Sequence, residues 1–288
     1  MLNEQYIEAG KIIIRDKVSI AIDRLRAFEP EDGYYLAFSG GKDSVVIKAL
    51  ANMAGVKYDA HYTLTSVDAP EVVRFIKEQN KDVDIVIPEM NMWKLIVKNG
   101  MPPTRLSRYC CRELKESNGK GRVTITGVRW AQSSNRKKNR NLVNIGNKKS
   151  ELVLNDDNDE ARRIVENCYR TRKTLVNPII DWSDADVWEF IRRENLAYCC
   201  RYDQGEKRVG CIGCPMTGGR AMLKMFEKYP TYKKAYLRAF EKMIKKREDE
   251  GTPLHTGKTA EDVMEWWVRE KKDREENTEQ WEIEDTGG

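Results

Sequence analysis

No apolar run in the 288 residues approaches the roughly 20 needed to span a bilayer as a helix, so a membrane-embedded channel or transporter of that kind is not expected. The first residues lack a secretory leader's uninterrupted apolar stretch, because Glu4, Glu8, Lys11 and Arg15 punctuate them, and a cytoplasmic protein is the expectation. A strong charge excess is also missing. The net charge of +5 and pI near 8.7 are too mild to argue for a nucleic-acid partner by themselves. The spacing of the seven cysteines is not that of a disulfide framework. Cys110-Cys111 and Cys199-Cys200 are adjacent pairs, Cys211 and Cys214 a close pair and Cys168 a single, a pattern of ligands or reactive thiols. A Walker phosphate loop is absent too, since Leu36 stands where its first glycine would be and Asp43 follows Lys42.

What is present is YYLAFSGGKDSVVIKAL, residues 34–50. The apolar run Tyr34 to Phe38 predicts a strand, and Val45, Val46, Ala49 and Leu50 recur at helical spacing. The turn between them therefore opens a helix. Its first amides lack partners within the helix, the dipole there favours an anion, and glycines admit close approach of a bound group. Residues 39–44 are expected to cradle phosphate.

Along the chain, Ile7, Ile14, Val18, Ile22 and Leu25 form one helical stripe, which predicts an amphipathic helix over 5–28. Strands are expected at 34–38, 58–64, 83–88, 123–126 and 175–180, and helices at 70–80, 92–98 and 184–195, the last capped by Ser183. This alternation predicts an α/β fold, a parallel sheet with helices on both faces and a ligand site at the carboxyl ends of its strands. The expected division is an N-terminal helix at 1–29, a nucleotide domain at 30–217 and a C-terminal helical appendage at 218–288. Helices at 221–249 and 259–273 make up that appendage, with Trp266 and Trp267 read as packing residues. Between 130 and 176 a mobile insertion is expected, its basic part (Arg136, Lys137, Lys138, Arg140, Lys148 and Lys149, just after Arg129) followed by the acidic stretch Asp156 to Glu160. Composition gives even odds between a solvated loop and an anion-facing one.

Several segments, in order, resemble one family: SGGKDS (39–44), RYCCRELKE (108–116), TGVRWAQSSNR (126–136), NPIIDWSDADVWEFI (177–191) and YDQGEKRVGCIGCPM (202–216). The chain resembles the phosphoadenosine phosphosulfate (PAPS) reductase family, within the PP-loop adenine-nucleotide alpha hydrolases, a Rossmann-like fold. The resemblance implies that Ser39, Gly40, Gly41, Lys42, Asp43 and Ser44 bind the pyrophosphate or phosphosulfate of an adenine nucleotide (ATP, or APS or PAPS). Asp43 either caps the helix or helps hold Mg2+, and Asp68 either contacts the nucleotide or starts the next helix. Gly127 and Arg129 follow a strand end, where an arginine can neutralise phosphate bidentately. Lys42, Asp43 and Arg129 are the expected catalytic residues. Arg136, Lys137, Lys138 and Arg140 are the expected contacts to tRNA or DNA.

The cysteines resemble the subgroup carrying a 4Fe-4S cluster, which assigns Cys110, Cys111, Cys211 and Cys214 as metal ligands. Zinc is the metal alternative, and Cys199-Cys200 is the alternative adjacent pair. Cys168 has no motif. Reductases of this family attack sulfur with a cysteine near the C-terminus, whereas no cysteine follows Cys214 in this sequence. The leading expectation is accordingly ATP-dependent adenylation with release of pyrophosphate, followed by sulfur transfer to an acceptor such as nucleic acid. Reduction of APS or PAPS to sulfite comes second, and a nucleotide-sensing or accessory subunit third. A sulfur-donor or electron-donor protein is the expected partner, and a homo-oligomer the expected assembly.

Overall fold

The structure is a computed structural model that describes residues 2–8, 11–116, 118–119, 121–145, 174–254 and 256–269. It divides into two compact units, each gathered from separate stretches of chain. Unit 1 holds Met1–Thr63, Pro70–Val86 and Ser117–Val209; unit 2 holds Leu64–Ala69, Ile87–Glu116 and Gly210–Gly288. This differs from the expected three-part division, because the segment carrying Cys110 and Cys111 groups with the C-terminal helices.

Unit 1 begins with a hairpin, not with the expected helix. Strands β1 (Asn3–Glu8) and β2 (Lys11–Asp16) pair antiparallel, Asn3 opposite Asp16, where a helix from residue 5 was expected. The consecutive β-branched residues Ile12, Ile13 and Ile14 favour a strand. Asp16 then fixes where the helix begins: its carboxylate accepts from the Val18 amide at 3.0 Å and caps α1 (Lys17–Ala27). Of the predicted stripe, Ile14 is solvent-exposed, whereas Val18 and Leu25 are buried.

The Rossmann-like sheet has six strands: β3 (Tyr34–Ala37), β4 (Tyr58–Thr63), β5 (Val83–Val86), β6 (Val123–Ile125), β7 (Val143–Ile145) and β8 (Thr174–Val176). Their order is β5-β4-β3-β6-β8-β7, with every pair parallel except β7-β8. The chain winds outward from β3 to β5, then resumes at β6 on the other side of β3. The carboxyl ends of β3 and β6 therefore flank the point where the winding reverses, the place at which such sheets bind ligands. Tyr34 and Leu36 of β3 are fully buried, as a central parallel strand requires.

Unit 1 also contains α2 (Lys42–Ala54), whose Val46, Ile47 and Leu50 join the core, and α3 (Pro70–Gln79). The first part of the expected mobile insertion is regular, with a 3-10 turn at Trp130–Gln132, the helix Ser134–Asn139 and strand β7 on the sheet edge. Lys148, Lys149, the Asp156 to Glu160 stretch and Cys168 lie outside the described residues. Strand β8 stops sooner than expected, because the Asn177 side chain donates to the Asn141 carbonyl (2.8 Å) and Pro178 follows. The helix Asp184–Arg193 begins at the predicted cap, where the Ser183 hydroxyl accepts from the Asp186 amide.

Unit 2 is helical. It contains α4 (Met92–Asn99), α5 (Tyr109–Cys111) running into a π-helical turn at Arg112–Glu116, then α6 (Ser134–Asn139) and α7 (Asp184–Arg193) intervene in unit 1 before α8 (Gly219–Lys228), α9 (Pro230–Asp249) and α10 (Ala260–Val268). The single helix expected over 221–249 is broken in two, because Pro230 cannot donate an amide and instead opens α9 as its first residue. Phe226, Tyr236, Phe240 and Trp267 form an aromatic core with ring centroids 4.9–6.2 Å apart. Trp267 is buried and donates to the Pro103 carbonyl at 2.6 Å, a packing role as read from sequence. No helix among the described residues is long and apolar enough to cross a membrane.

Candidate functional site

Ser39 leaves the carboxyl end of β3, and the chain must turn at once into α2. Gly40 makes that turn with φ +71°, and a Cβ there would lie 2.8 Å from a Val72 methyl, so glycine is required twice over. Gly41 is the N-cap and has no side chain to bond the first-turn amides. Asp43 is thus not the cap; it sits one residue inside the helix. The Ser44 hydroxyl donates back to the Gly41 carbonyl at 2.8 Å and accepts from the Ser39 amide at 3.2 Å, tying the turn shut.

From β6, Gly127 comes so close to α2 that a Cβ would meet that of Asp43 at 2.7 Å. Arg129 then enters the interior, with a side chain only 1% exposed. Its Nε donates to Asp43 Oδ1 (2.8 Å), Nη2 to Asp184 Oδ1 (2.8 Å) and Nη1 to the Trp182 carbonyl (3.2 Å). Gln132 Nε2 donates to the other Asp43 oxygen at 2.9 Å. The expected phosphate-binding arginine is instead a brace, with all its guanidinium nitrogens committed to protein.

Lys42 is also buried, at 3% exposure. Its ammonium donates to the Lys207 carbonyl (3.2 Å), pairs with Asp184 (3.2 Å) and stands 5.4 Å from the Tyr202 ring centroid. The Tyr202 hydroxyl accepts from the Lys42 amide at 2.9 Å, the position an anion's oxygen would take at a helix start. Burial pushes the Tyr202 phenol up to about 12. Burial also lifts the Asp184 carboxyl, but hydrogen bonds from Arg129 and Lys42 and the charge of Lys42 outweigh it and leave the group below the usual carboxylate range.

Above this braced floor opens a polar cavity of about 220 Å³. Ser39, Gly41, Lys42, Asp43, Ser44 and Gly127, all of them expected nucleotide contacts, line it. Arg136 and Arg208 line it as well. Burial, then the charges of Arg208 and Arg140, push the Arg136 guanidinium below its ordinary pKa. Lys137, Lys138 and Arg140 are solvent-exposed. The sequence reading gave no role to Gln132, Asp184, Tyr202 or Arg208, although all four fall within the quoted motif segments.

Asp68 does not line this cavity. It belongs to unit 2, where its carboxylate accepts from the Thr65 amide at 2.6 Å. The same unit brings together the four predicted thiols. The Cys110 thiol is pushed up by its hydrogen bond to Cys111, by burial, and by the charges of Cys111, Cys211 and Cys214. The hydrogen bond from Cys110, helped by Arg108, holds Cys111 down at about 5. Lys115 Nζ donates to Cys211 Sγ at 3.1 Å, and the negative charge of the quartet, Cys211 first, raises the pKa of the ammonium. Among the described residues, no three Cys, His, Asp or Glu side chains are gathered so as to hold a metal ion. Cys199, buried, and Cys200, exposed, belong to unit 1.

A family model described as the phosphoadenosine phosphosulfate reductase domain matches residues 33–217. An uncharacterized protein of Methanocaldococcus jannaschii is 31% identical over 204 residues, covering 67% of this chain and 44% of that protein. The adenosine 5'-phosphosulfate reductase of Oceanobacillus iheyensis is 25% identical over 170 residues, 57% of this chain and 60% of that one. The chain thus spans less than two thirds of either relative. Among solved structures, the PAPS reductase of Candida auris in its phosphate complex overlays 66% of this chain and 87% of its own, at 16% identity and a TM-score of 0.44. With a family model matched over well more than half its length, this chain belongs to the phosphoadenosine phosphosulfate reductase domain family.

Proposed function

We propose that the chain is an ATP-using enzyme that adenylates an acceptor, releases pyrophosphate and so prepares the acceptor for sulfur transfer. The observation that carries this reading is the cation surplus at the cavity, where Lys42, Arg136 and Arg208 outnumber Asp43 and where burial, then the charges of Arg208 and Arg140, depress Arg136. Such a site gains most from a polyanion. A cavity of about 220 Å³ is below the roughly 300–1,000 Å³ of whole small-molecule pockets and suits the phosphates, with the base and ribose outside it.

In the reaction, a nucleophile on the acceptor attacks the α-phosphorus, the bond from that phosphorus to the bridging oxygen breaks, and pyrophosphate leaves with the electron pair. The cavity cations stabilise the charge that develops on the leaving group. An incoming sulfur nucleophile then displaces AMP from the acceptor. Arg129 positions Asp43 and Asp184. Each Asp43 oxygen accepts one bond, from Arg129 or from Gln132, and keeps a second lone pair with which it would hold Mg2+ beside the phosphates.

The four thiols of Cys110, Cys111, Cys211 and Cys214 fit the donor set of a 4Fe-4S cluster, the other three lying near enough for their charge to raise Cys110, whereas a single tetrahedral ion would need a tighter set than the described residues offer. When bound, such a cluster supplies redox equivalents. Reduction of a sulfonucleotide is the second reading, favoured by the reductase among the relatives. Anaerobic protein incubated with ATP, APS or PAPS separates the two by the product, pyrophosphate or sulfite. Titration calorimetry with ATP and with pyrophosphate tests the site itself. Wild-type protein should bind both and Lys42→Ala should lose at least about tenfold in affinity, the equivalent of one charge-assisted bond; absence of binding by the wild type would overturn the reading.

A further inference from the structure

Within unit 2, α4 lies on α9. Trp93 meets the Tyr236 ring edge-on at 4.9 Å, and Lys246 and Arg247 of α9 donate to the carbonyls of Val97 (3.3 Å) and Gly100 (3.3 Å) at the end of α4. Those bonds satisfy the last carbonyls of α4 and fix the two helices side by side. Between them runs a groove of about 610 Å³. Its floor is Trp93 and Val97, backed by small residues of α9, and its rim is Lys94, Lys98, Arg238 and Lys242.

All four rim cations are exposed, and none has a carboxylate within ion-pair distance among the described residues. They stand as two pairs, each four residues apart on its helix. An i, i+4 step rises about 6 Å, the order of the spacing between successive phosphates of an extended strand. A rim of one charge sign, left without counter-charge, is a footprint for an anionic polymer. The floor chooses between polymers. One half-buried tryptophan face with small neighbours gives a base somewhere to stack, and gives the large apolar side chains of an acidic peptide little to fill.

We infer that the α4–α9 groove is a binding site for single-stranded nucleic acid, with phosphates on Lys94, Lys98, Arg238 and Lys242 and a base against Trp93. The site is independent of the nucleotide cavity, so it stands or falls whether or not that cavity uses ATP.

Fluorescence anisotropy with labelled oligo(U) and oligo(dT) of about 20 nucleotides, from about 50 to 200 mM salt, tests it. The wild type should bind with a steep salt dependence and with quenching of tryptophan emission. Replacing Lys94, Lys98, Arg238 and Lys242 together by Gln should weaken binding at least about tenfold and flatten the log–log salt slope by about 3, at roughly 0.7 per released phosphate contact. All four side chains are exposed, so the variant's melting temperature should match the wild type, and calorimetry with pyrophosphate should be unchanged. Lys137→Gln with Lys138→Gln, on the exposed face of α6, should leave binding intact. The inference is overturned if the fourfold variant binds as the wild type does, if the Lys137/Lys138 variant is the one that fails, or if polyglutamate displaces the oligonucleotide at lower concentration than unlabelled oligo(U).

Discussion

The nucleotide cavity of unit 1 and the cysteine quartet of unit 2 are built on opposite plans. Around the cavity every charged group at the floor is braced: Arg129 spans Asp43, Asp184 and a carbonyl, and Lys42 shares Asp184. The site's shape is set before any ligand arrives, which is what electrostatic preorganisation requires. The quartet is different. Its thiols perturb one another, pushing Cys110 up and Cys111 down, and their cationic partners, Arg108 at Cys111 and Lys115 at Cys211, each reach a single thiol. Thiols in that arrangement would gain their order from a bound group, as the proposed function has it. Braces in unit 1 should therefore be costly to remove, whereas the thiols of unit 2 should be cheap.

The largest effect should come from the ion pair beneath the helix Asp184–Arg193. The Asp186 carboxylate, fully buried, lies 2.8 Å from the Lys17 ammonium and also accepts from the Ser183 amide and hydroxyl. Asp186→Ala should cost about 3–5 kcal/mol in urea unfolding, the range for breaking a buried pair. The pair also has a pH signature. Burial raises the Asp186 carboxyl, but Lys17 and Ser183 lower it further, so its folded pKa lies below its unfolded one. Its contribution is complete above the unfolded value near 3.9 and disappears as pH falls through the folded value. Wild-type stability should drop in acid below about pH 4, and the Asp186→Ala variant should lose that part of the dependence.

Arg129→Ala should come next, at about 2–3 kcal/mol, reduced because its partners Asp43 and Asp184 are partly solvated. Arg129→Lys should recover little of it, since one ammonium cannot replace three directed donors. Gly40→Ala should cost about 1–2 kcal/mol from the left-handed backbone alone, and it should weaken pyrophosphate binding in the calorimeter as the turn shifts. At the small end, Cys211→Ser or Cys214→Ser should move the urea midpoint by less than about 1 kcal/mol, while iron measured after anaerobic reconstitution falls to background. A quartet variant that unfolds the protein, or an Arg129→Ala protein as stable as the wild type, would break the contrast between the two regions.

Much of the cavity was legible locally. The strand, the glycine turn and the helix at 34–50 are adjacent in sequence, and so is the Ser183 cap, because turn and cap chemistry act within a few residues. What was not legible comes from distance. Arg129 reads as a phosphate ligand until Asp184, 55 residues away, and Asp43, 86 residues away, are seen to claim it. Tyr202 reaches the Lys42 amide across 160 residues, a separation no periodicity encodes. The N-terminal stripe failed for another reason. Ile7 and Ile14 fit a helical face only if Ile12 and Ile13 are ignored, and once all are counted the β-branched run prevails. The break at Pro230 was written plainly in the sequence, and the charged periodicity on either side masked it.

The interleaving of the two units bears on how this protein can be cut. Leu64–Ala69 and Ile87–Glu116 leave the sheet's sequence early, yet their unit includes Gly210 onward. Tyr236 of the late helix donates to the Ile212 carbonyl, and Trp267 reaches back to Pro103. A gene fragment ending at the family boundary, residue 217, would encode the whole sheet but leave the segment around Pro103 and α4 without α9 and α10. During synthesis those early segments must likewise wait, apolar faces uncovered, for the last quarter of the chain to emerge from the ribosome. Minimal versions of this protein are therefore better made by shortening loops than by truncating the carboxyl end.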